Sequence, residues 1–189
     1  MGLTDVLFGR KKLKEPAAER LFALTTAAVT LDVECGLKPA GVGALVFKPL
    51  SAGEFVQVDQ DAEQLLAAVA ADAGGKLERK TDPFGYVWVV VRDPQLEDEV
   101  TSVHAVAQEL EARGFGSQLL AAAFRFEGRD HPVYWIYGFK SGTFWPFVPT
   151  GEGQQRDNAR ELELKAKLET EMPVEQDLTK WFGLFDAPI

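Results

Sequence analysis

Histidine and cysteine, which carry much of the nucleophilic and metal chemistry of proteins, are scarce in this chain. Its 189 residues include two histidines and one cysteine, whereas zinc sites and His-activated nucleophiles need several such groups together. His104 lies beside the apolar stripe of a predicted helix, and His131 lies in a turn before Pro132. Cys35 has no adjacent basic residue to lower its pKa, and Glu34 beside it would raise that pKa. The sequence therefore predicts no catalytic residue, no metal site and no cofactor.

One glycine-containing turn favours an enzyme instead. Residues 113–120, RGFGSQLL, are similar to the pyrophosphate-binding turn of acyl-CoA-dependent N-acetyltransferases, in which backbone N–H groups at a helix N-terminus hold the phosphates. That arrangement needs a strand before the turn and a helix after it. Here a strongly helical segment precedes Gly114, and residues 123–126 alternate as a strand does. An acyl-CoA-dependent N-acetyltransferase that uses the turn from Gly114 to Gly116 therefore remains the alternative to a non-catalytic protein.

Charge distinguishes the N-terminal segment from the rest of the chain. Residues 1–15 carry four basic and two acidic side chains, a local charge of +2 in a chain of net charge −9, so the remainder carries −11. An acidic body without a basic stripe repels a phosphate backbone, which argues against nucleic-acid binding. The basic cluster follows apolar Leu3, Val6, Leu7 and Phe8. Two interpretations remain open: a weak anchor on anionic lipid or on a partner, or a terminus whose apolar residues pack on the body.

A second candidate contact region lies near the C-terminus. Trp181, Phe182 and Phe185 follow an acidic segment, and such aromatic side chains either close a core or contact a partner. The candidate contacts with a partner or a membrane are therefore Leu3, Leu7, Phe8, Arg10, Lys11, Lys12, Trp181, Phe182 and Phe185.

The chain contains no apolar run long enough for a membrane span or for the core of a secretory signal. The single cysteine cannot form an intrachain disulfide. The sequence therefore predicts a cytoplasmic protein, with the inner face of the membrane as the place of any weak lipid contact.

Hydrophobic periodicity predicts an α+β fold in which a largely antiparallel sheet of six or seven strands is covered by about four helices. Residues 1–14 are expected to form a basic amphipathic segment, 15–150 the core domain, and 151–189 a C-terminal helix and aromatic tail that pack on the core. Helices are expected near residues 16–30, 61–72, 96–112 and 157–169. Strands are expected at 41–48, 54–58, 76–81, 86–92, 117–127, 132–139 and 143–148.

Turn and cap residues predict how the strands pair and where the helices begin and end. The short connections favour antiparallel pairing, and residues 41–48 are expected to form a hairpin with 54–58. Gly114 is expected to end the long helix, and Asn158 to cap the last helix with Glu161 as its capping-box partner.

Several short blocks, taken in order, carry a family resemblance. They are MGL to GR within residues 1–10, VHAV at 103–106, GFG at 114–116, GTFWPF at 142–147 and RDNAREL at 156–162. Together with WF at 181–182 and AP at 187–188, they resemble the PspA-associated protein family PspAB over nearly the whole chain. The resemblance implies association with PspA-type, ESCRT-III-like membrane-remodelling proteins of the phage-shock envelope-stress response. It implies no catalytic activity or cofactor, so it predicts a non-catalytic interaction module.

Overall fold

A computed structural model describes residues 18–48, 76–151 and 153–189. The predicted helix at 61–72, the predicted strand at 54–58 and the N-terminal segment 1–14 lie outside these residues. Among the described residues, no helix is long and apolar enough to cross a membrane.

The described residues form one antiparallel sheet of six strands, which confirms the predicted α+β class. Its spatial order is β2-β3-β1-β4-β5-β6, so β1 and β4 are central. The strands are β1 (Lys38–Phe47), β2 (Lys76–Thr81), β3 (Val87–Arg92), β4 (Leu119–Glu127), β5 (Val133–Gly138) and β6 (Thr143–Phe147).

The predicted hairpin between residues 41–48 and 54–58 names the wrong pairing partner for β1. Both hydrogen-bonding edges of β1 are taken, one by β3 and the other by β4. All of Val42–Phe47 is buried, and a strand buried on both faces needs neighbours that are equally apolar. The apolar β3 and the alanine-rich β4 meet that need. The turn signal at residues 51–53 is local and carries no information about these distant partners.

The helices of the described residues are α1 (Ala23–Thr26), α2 (Ala28–Val33), α3 (Leu96–Ala112) and α4 (Asn158–Leu168), with a 3₁₀ turn at Ala18–Phe22. The first predicted helix is thus broken at Ala27. The hydroxyl groups of Thr25 and Thr26 donate to the carbonyl of Phe22 at 2.8 and 3.3 Å, and such bonds compete with the regular helical ladder. The 3₁₀ turn and α3 pack together, and α3 lies on β1 and β3.

The helix ends agree with the prediction at Gly114 and differ from it at Asn158. Gly114 has φ +88°, and the amides of Gly114 and Phe115 donate to the carbonyls of Glu111 and Leu110 at 2.9 and 2.8 Å, as in a Schellman ending. At α4 the cap is Asp157, whose Oδ1 accepts from the Arg160 amide at 2.9 Å. Asn158 already belongs to the helix.

Candidate functional site

The face of the sheet opposite α3 is crossed by the C-terminal segment, residues 181–189. The Trp145 indole donates to the Phe182 carbonyl at 3.0 Å, and the two rings meet edge to face at 4.7 Å. Phe147 makes a similar contact with Phe185 at 4.9 Å. A Cβ on Gly183 would lie 2.7 and 2.8 Å from these last two rings, so glycine allows the segment to approach the sheet closely. We call this face, which carries Trp88, Trp145 and Phe147, the tail face.

An internal ion pair fixes the start of this segment. Arg156 bonds through Nε to both carboxylate oxygens of Glu161, at 2.8 and 2.9 Å, and through Nη1 to the Trp181 carbonyl at 2.8 Å. Its guanidinium also lies 5.1 Å from the centre of the Phe147 ring. Glu161 is buried, and it accepts from the Val148 amide at 2.8 Å instead of closing a capping box. Burial raises the pKa of Glu161, while the bonds to Arg156 and Val148 oppose that rise.

Between the C-terminal segment and two turns, the tail face opens into a groove of about 1310 Å³. We call it the aromatic groove. Its floor includes Val46, Trp88 and Trp145, which are deeply buried, and its wall includes Phe182 and Phe185. The charged side chains around it are balanced in sign: Lys48, Lys140, Lys180, Asp82, Glu175 and Asp186.

Two aromatic side chains stand exposed at the mouth of the groove. Phe182 is 46% exposed and Phe84 is 71% exposed. Phe84 sits in the turn between β2 and β3, where one Asp82 oxygen accepts from the amides of Phe84 and Tyr86, both at 2.9 Å. The other oxygen accepts from the Trp88 indole at 3.1 Å. The turn that presents Phe84 is therefore fixed by side-chain bonds and tied to the groove floor.

The two histidines and the cysteine considered for catalysis are not among the residues that line this groove. His104 packs against the Phe22 ring at 5.0 Å, and burial lowers its pKa. Cys35 and His131 line a second cavity of about 460 Å³. Burial raises the pKa of Cys35, although Lys167 and Arg160 act in the opposite direction. The sequence did not reveal these two basic neighbours, and even with them burial holds the thiol in its protonated, weakly nucleophilic form.

The glycine turn at 114–116 does not have the geometry of a pyrophosphate site. It follows α3 and leads through a 3₁₀ turn, Gly116–Gln118, into β4, the reverse of the order that such a site requires. The amides of Gly114 and Phe115 are already bonded to carbonyls of α3. They are therefore not available to hold phosphate oxygens.

The three C-terminal candidate residues lie together at the tail face, but their exposure differs. Trp181 is 8% exposed, and its indole donates to the Glu175 carbonyl at 3.0 Å. Phe185 is partly buried against Phe147, which leaves Phe182 as the most exposed of the three. The six N-terminal candidates lie outside the described residues. Sequence reasoning missed Phe84, Trp88 and Trp145 as neighbours of this region, because only the strand register brings them to one face.

Fold and surface together define a small α+β protein with helices on one face of an antiparallel sheet and an aromatic groove on the other. A family model described as PspAB, PspA associated protein B, matches residues 1–189. The chain therefore belongs to the PspAB family of PspA-associated proteins, as its sequence blocks predicted. Comparison with curated proteins and with solved structures finds no match.

Proposed function

We propose that the protein is a non-catalytic accessory module that binds a PspA-type membrane-remodelling protein in the envelope-stress response, at the cytoplasmic face of the membrane. The observation that carries the proposal is the match of the whole chain to a family of PspA-associated proteins. The geometry adds a surface of the right kind, because the aromatic groove is lined largely by aromatic and aliphatic groups.

The proposed contact with the partner centres on Phe182, at the mouth of the aromatic groove. Aromatic side chains dominate the binding energy of many interfaces when they are presented on a rigid support and become desolvated on binding. Phe182 meets the first condition, because its carbonyl and its ring are both held by Trp145. It meets the second because about half of its surface, 46%, is exposed in the free protein. The partner surface that suits it is apolar at its centre.

A weak electrostatic contact with the membrane accompanies this proposal. Arg10, Lys11 and Lys12 lie in the segment that is basic while the rest of the chain is acidic. Basic residues near an anionic bilayer contribute about 1 kcal/mol each, and salt screens the effect. The segment thus adds reversible attachment to a complex that the protein contact specifies.

Affinity purification from the native host tests the association. The tagged chain, expressed at its natural level, is expected to recover PspA far above the amount recovered by the tag alone. The Leu162→Ala variant is a suitable control, because Leu162 on α4 is 47% exposed and lies outside the aromatic groove. Recovery of PspA at the level of the tag alone would count against the proposed function.

A further inference from the structure

The direction of the Phe182 ring is set by the peptide groups on either side of this residue. The carbonyl of the preceding peptide group, that of Trp181, accepts from Arg156 Nη1 at 2.8 Å. The carbonyl of the following peptide group, that of Phe182 itself, accepts from the Trp145 indole at 3.0 Å. Because peptide groups are planar, a residue has only two soft backbone dihedrals. One side-chain donor on each peptide group therefore fixes both dihedrals of Phe182.

Arg156 is itself held in a fixed position by Glu161. Its Nε meets the two carboxylate oxygens at 2.8 and 2.9 Å, and the buried Glu161 also accepts from the Val148 amide at 2.8 Å. A guanidinium carries its donors in a rigid planar fork, so an anchored Nε also sets the direction of Nη1. The position of the Trp181 carbonyl is thus determined by α4 and by the residue that follows β6.

The Trp181 side chain has an anchor of its own. Its indole donates to the Glu175 carbonyl at 3.0 Å, and the ring is buried. Loss of the Arg156 bond therefore leaves this ring in place and frees the peptide group between Trp181 and Phe182 to rotate. The expected effect is local and falls on the Phe182 ring.

We propose that Arg156 is a positioning residue for the partner contact: it acts through the Trp181 carbonyl and holds the Phe182 ring at the mouth of the aromatic groove. That Arg156 fixes Phe182 follows from the geometry of the free protein. Its consequence for PspA binding rests on the proposed function. A side chain that is already ordered loses less entropy on binding, so a fixed Phe182 supports a higher affinity than a mobile one.

Arg160 on α4 provides the matched control. Like Arg156, it pairs with a glutamate and donates to a distant backbone carbonyl. Its Nη1 lies 2.8 Å from Glu163 Oε2, and its Nη2 donates to the Cys35 carbonyl at 2.6 Å. These groups line the second cavity and do not belong to the C-terminal segment. Arg160→Met therefore removes similar contacts without touching the peptide groups beside Phe182.

The test variant is the double replacement Arg156→Met and Glu161→Gln. Methionine removes the donor to the Trp181 carbonyl, and glutamine keeps an acceptor for the Val148 amide. The double replacement leaves no unpaired charge in the buried site, so a large loss of stability from that source is avoided.

Fluorine NMR of the full chain measures the environment of the ring at position 182. Phe182 is replaced by 4-fluorophenylalanine in the wild-type, double-variant and Arg160→Met backgrounds. The wild-type resonance is expected to differ from that of the free amino acid, because the ring packs on Trp145 at 4.7 Å. The resonance of the double variant is expected to move towards the free value, and that of Arg160→Met to stay in place. An unmoved resonance in the double variant, or an equal movement in Arg160→Met, would overturn the proposal.

Calorimetric titration with purified PspA, using the unlabelled full chains, tests the consequence for binding. Wild type and Arg160→Met are expected to have the same dissociation constant, and the double variant to bind about fivefold more weakly. Equal affinities of all three chains would overturn the role of Arg156 in the partner contact. Absence of binding by the wild-type chain would contradict the proposed function, whereas the fluorine resonance decides separately whether Arg156 fixes Phe182.

Discussion

Glu99, in the first turn of α3, is the basis of the most quantitative prediction. Its side chain is 1% exposed, and neither carboxylate oxygen has a hydrogen-bond partner among the described residues. Oε1 faces β1 at Gly43, where an added Cβ would lie only 2.7 Å from it. Burial, with the Asp93 carboxylate as the second cause, raises the pKa of Glu99 to about 8. The folded protein therefore holds this group protonated at neutral pH.

This shift makes stability depend on pH, and its sign follows from linkage. Because the folded pKa is raised, the contribution to stability is complete below the ordinary value of 4.5 and is lost as the pH rises towards about 8. At about 1.4 kcal/mol per pH unit, the whole interval corresponds to roughly 5 kcal/mol in the free energy of unfolding. Glu99→Gln cannot ionise, so it is expected to lack this loss.

Denaturant unfolding between pH 5 and pH 9 measures the effect. Wild type and Glu99→Gln are expected to have similar free energies of unfolding near pH 5, with the variant becoming the more stable by several kcal/mol near pH 8. Glu97→Gln is the matched control, because Glu97 is exposed in the same helical turn, and its effect is expected to stay within about 0.5 kcal/mol. Parallel pH profiles for wild type and Glu99→Gln would refute the reasoning.

Three further predictions concern the C-terminal and N-terminal segments. Arg156→Met leaves Glu161 buried without its cation and is expected to lower the free energy of unfolding by about 3 kcal/mol. Denaturant unfolding measures this change. A decrease of less than about 0.5 kcal/mol, the size of an ordinary surface effect, would contradict the prediction. Gly183→Ala brings a Cβ within 2.7 Å of an aromatic ring and is expected to lower the free energy of unfolding by about 1–3 kcal/mol. The measurement is the melting temperature, which is expected to fall. An unchanged melting temperature would show that the C-terminal segment packs differently. The double variant Lys11→Glu and Lys12→Glu is expected to co-sediment with anionic vesicles less than the wild-type chain at low salt and to the same extent at high salt. Equal co-sedimentation of the variant and the wild type at both salt concentrations would contradict the proposed membrane contact.

The parts of the fold that the sequence predicted are those specified by short-range patterns. The apolar run of β3, the turn from Asp82 to Gly85 and the helix end at Gly114 all involve residues within a few positions of one another. The partners of β1 depend on residues far along the chain, and the local turn signal pointed to the wrong neighbour. The cap of α4 was misplaced by one residue, because Asp157 and Asn158 are chemically similar at a helix N-terminus.

The candidate site was less predictable than the fold. Phe182 was selected from its local composition, but its neighbours Phe84 and Trp145 come from other strands and turns. Their proximity depends on strand order and register, and no sequence pattern within one element reports either. Glu161 was interpreted as a capping residue, since nothing local shows that its side chain turns inward to Arg156. The sequence also does not reveal that the Glu99 carboxylate is buried without a hydrogen-bond partner among the described residues, because acidic residues are ordinary in the first turn of a helix.

Titration calorimetry of purified PspA with the full chain tests the central claim most directly. Wild type and Leu162→Ala are expected to bind PspA saturably with the same dissociation constant. Phe182→Ala is expected to bind at least about tenfold more weakly, which corresponds to about 1.4 kcal/mol. Absence of saturable binding by the wild-type chain would contradict the proposed function, and equal binding by Phe182→Ala would contradict the proposed contact surface.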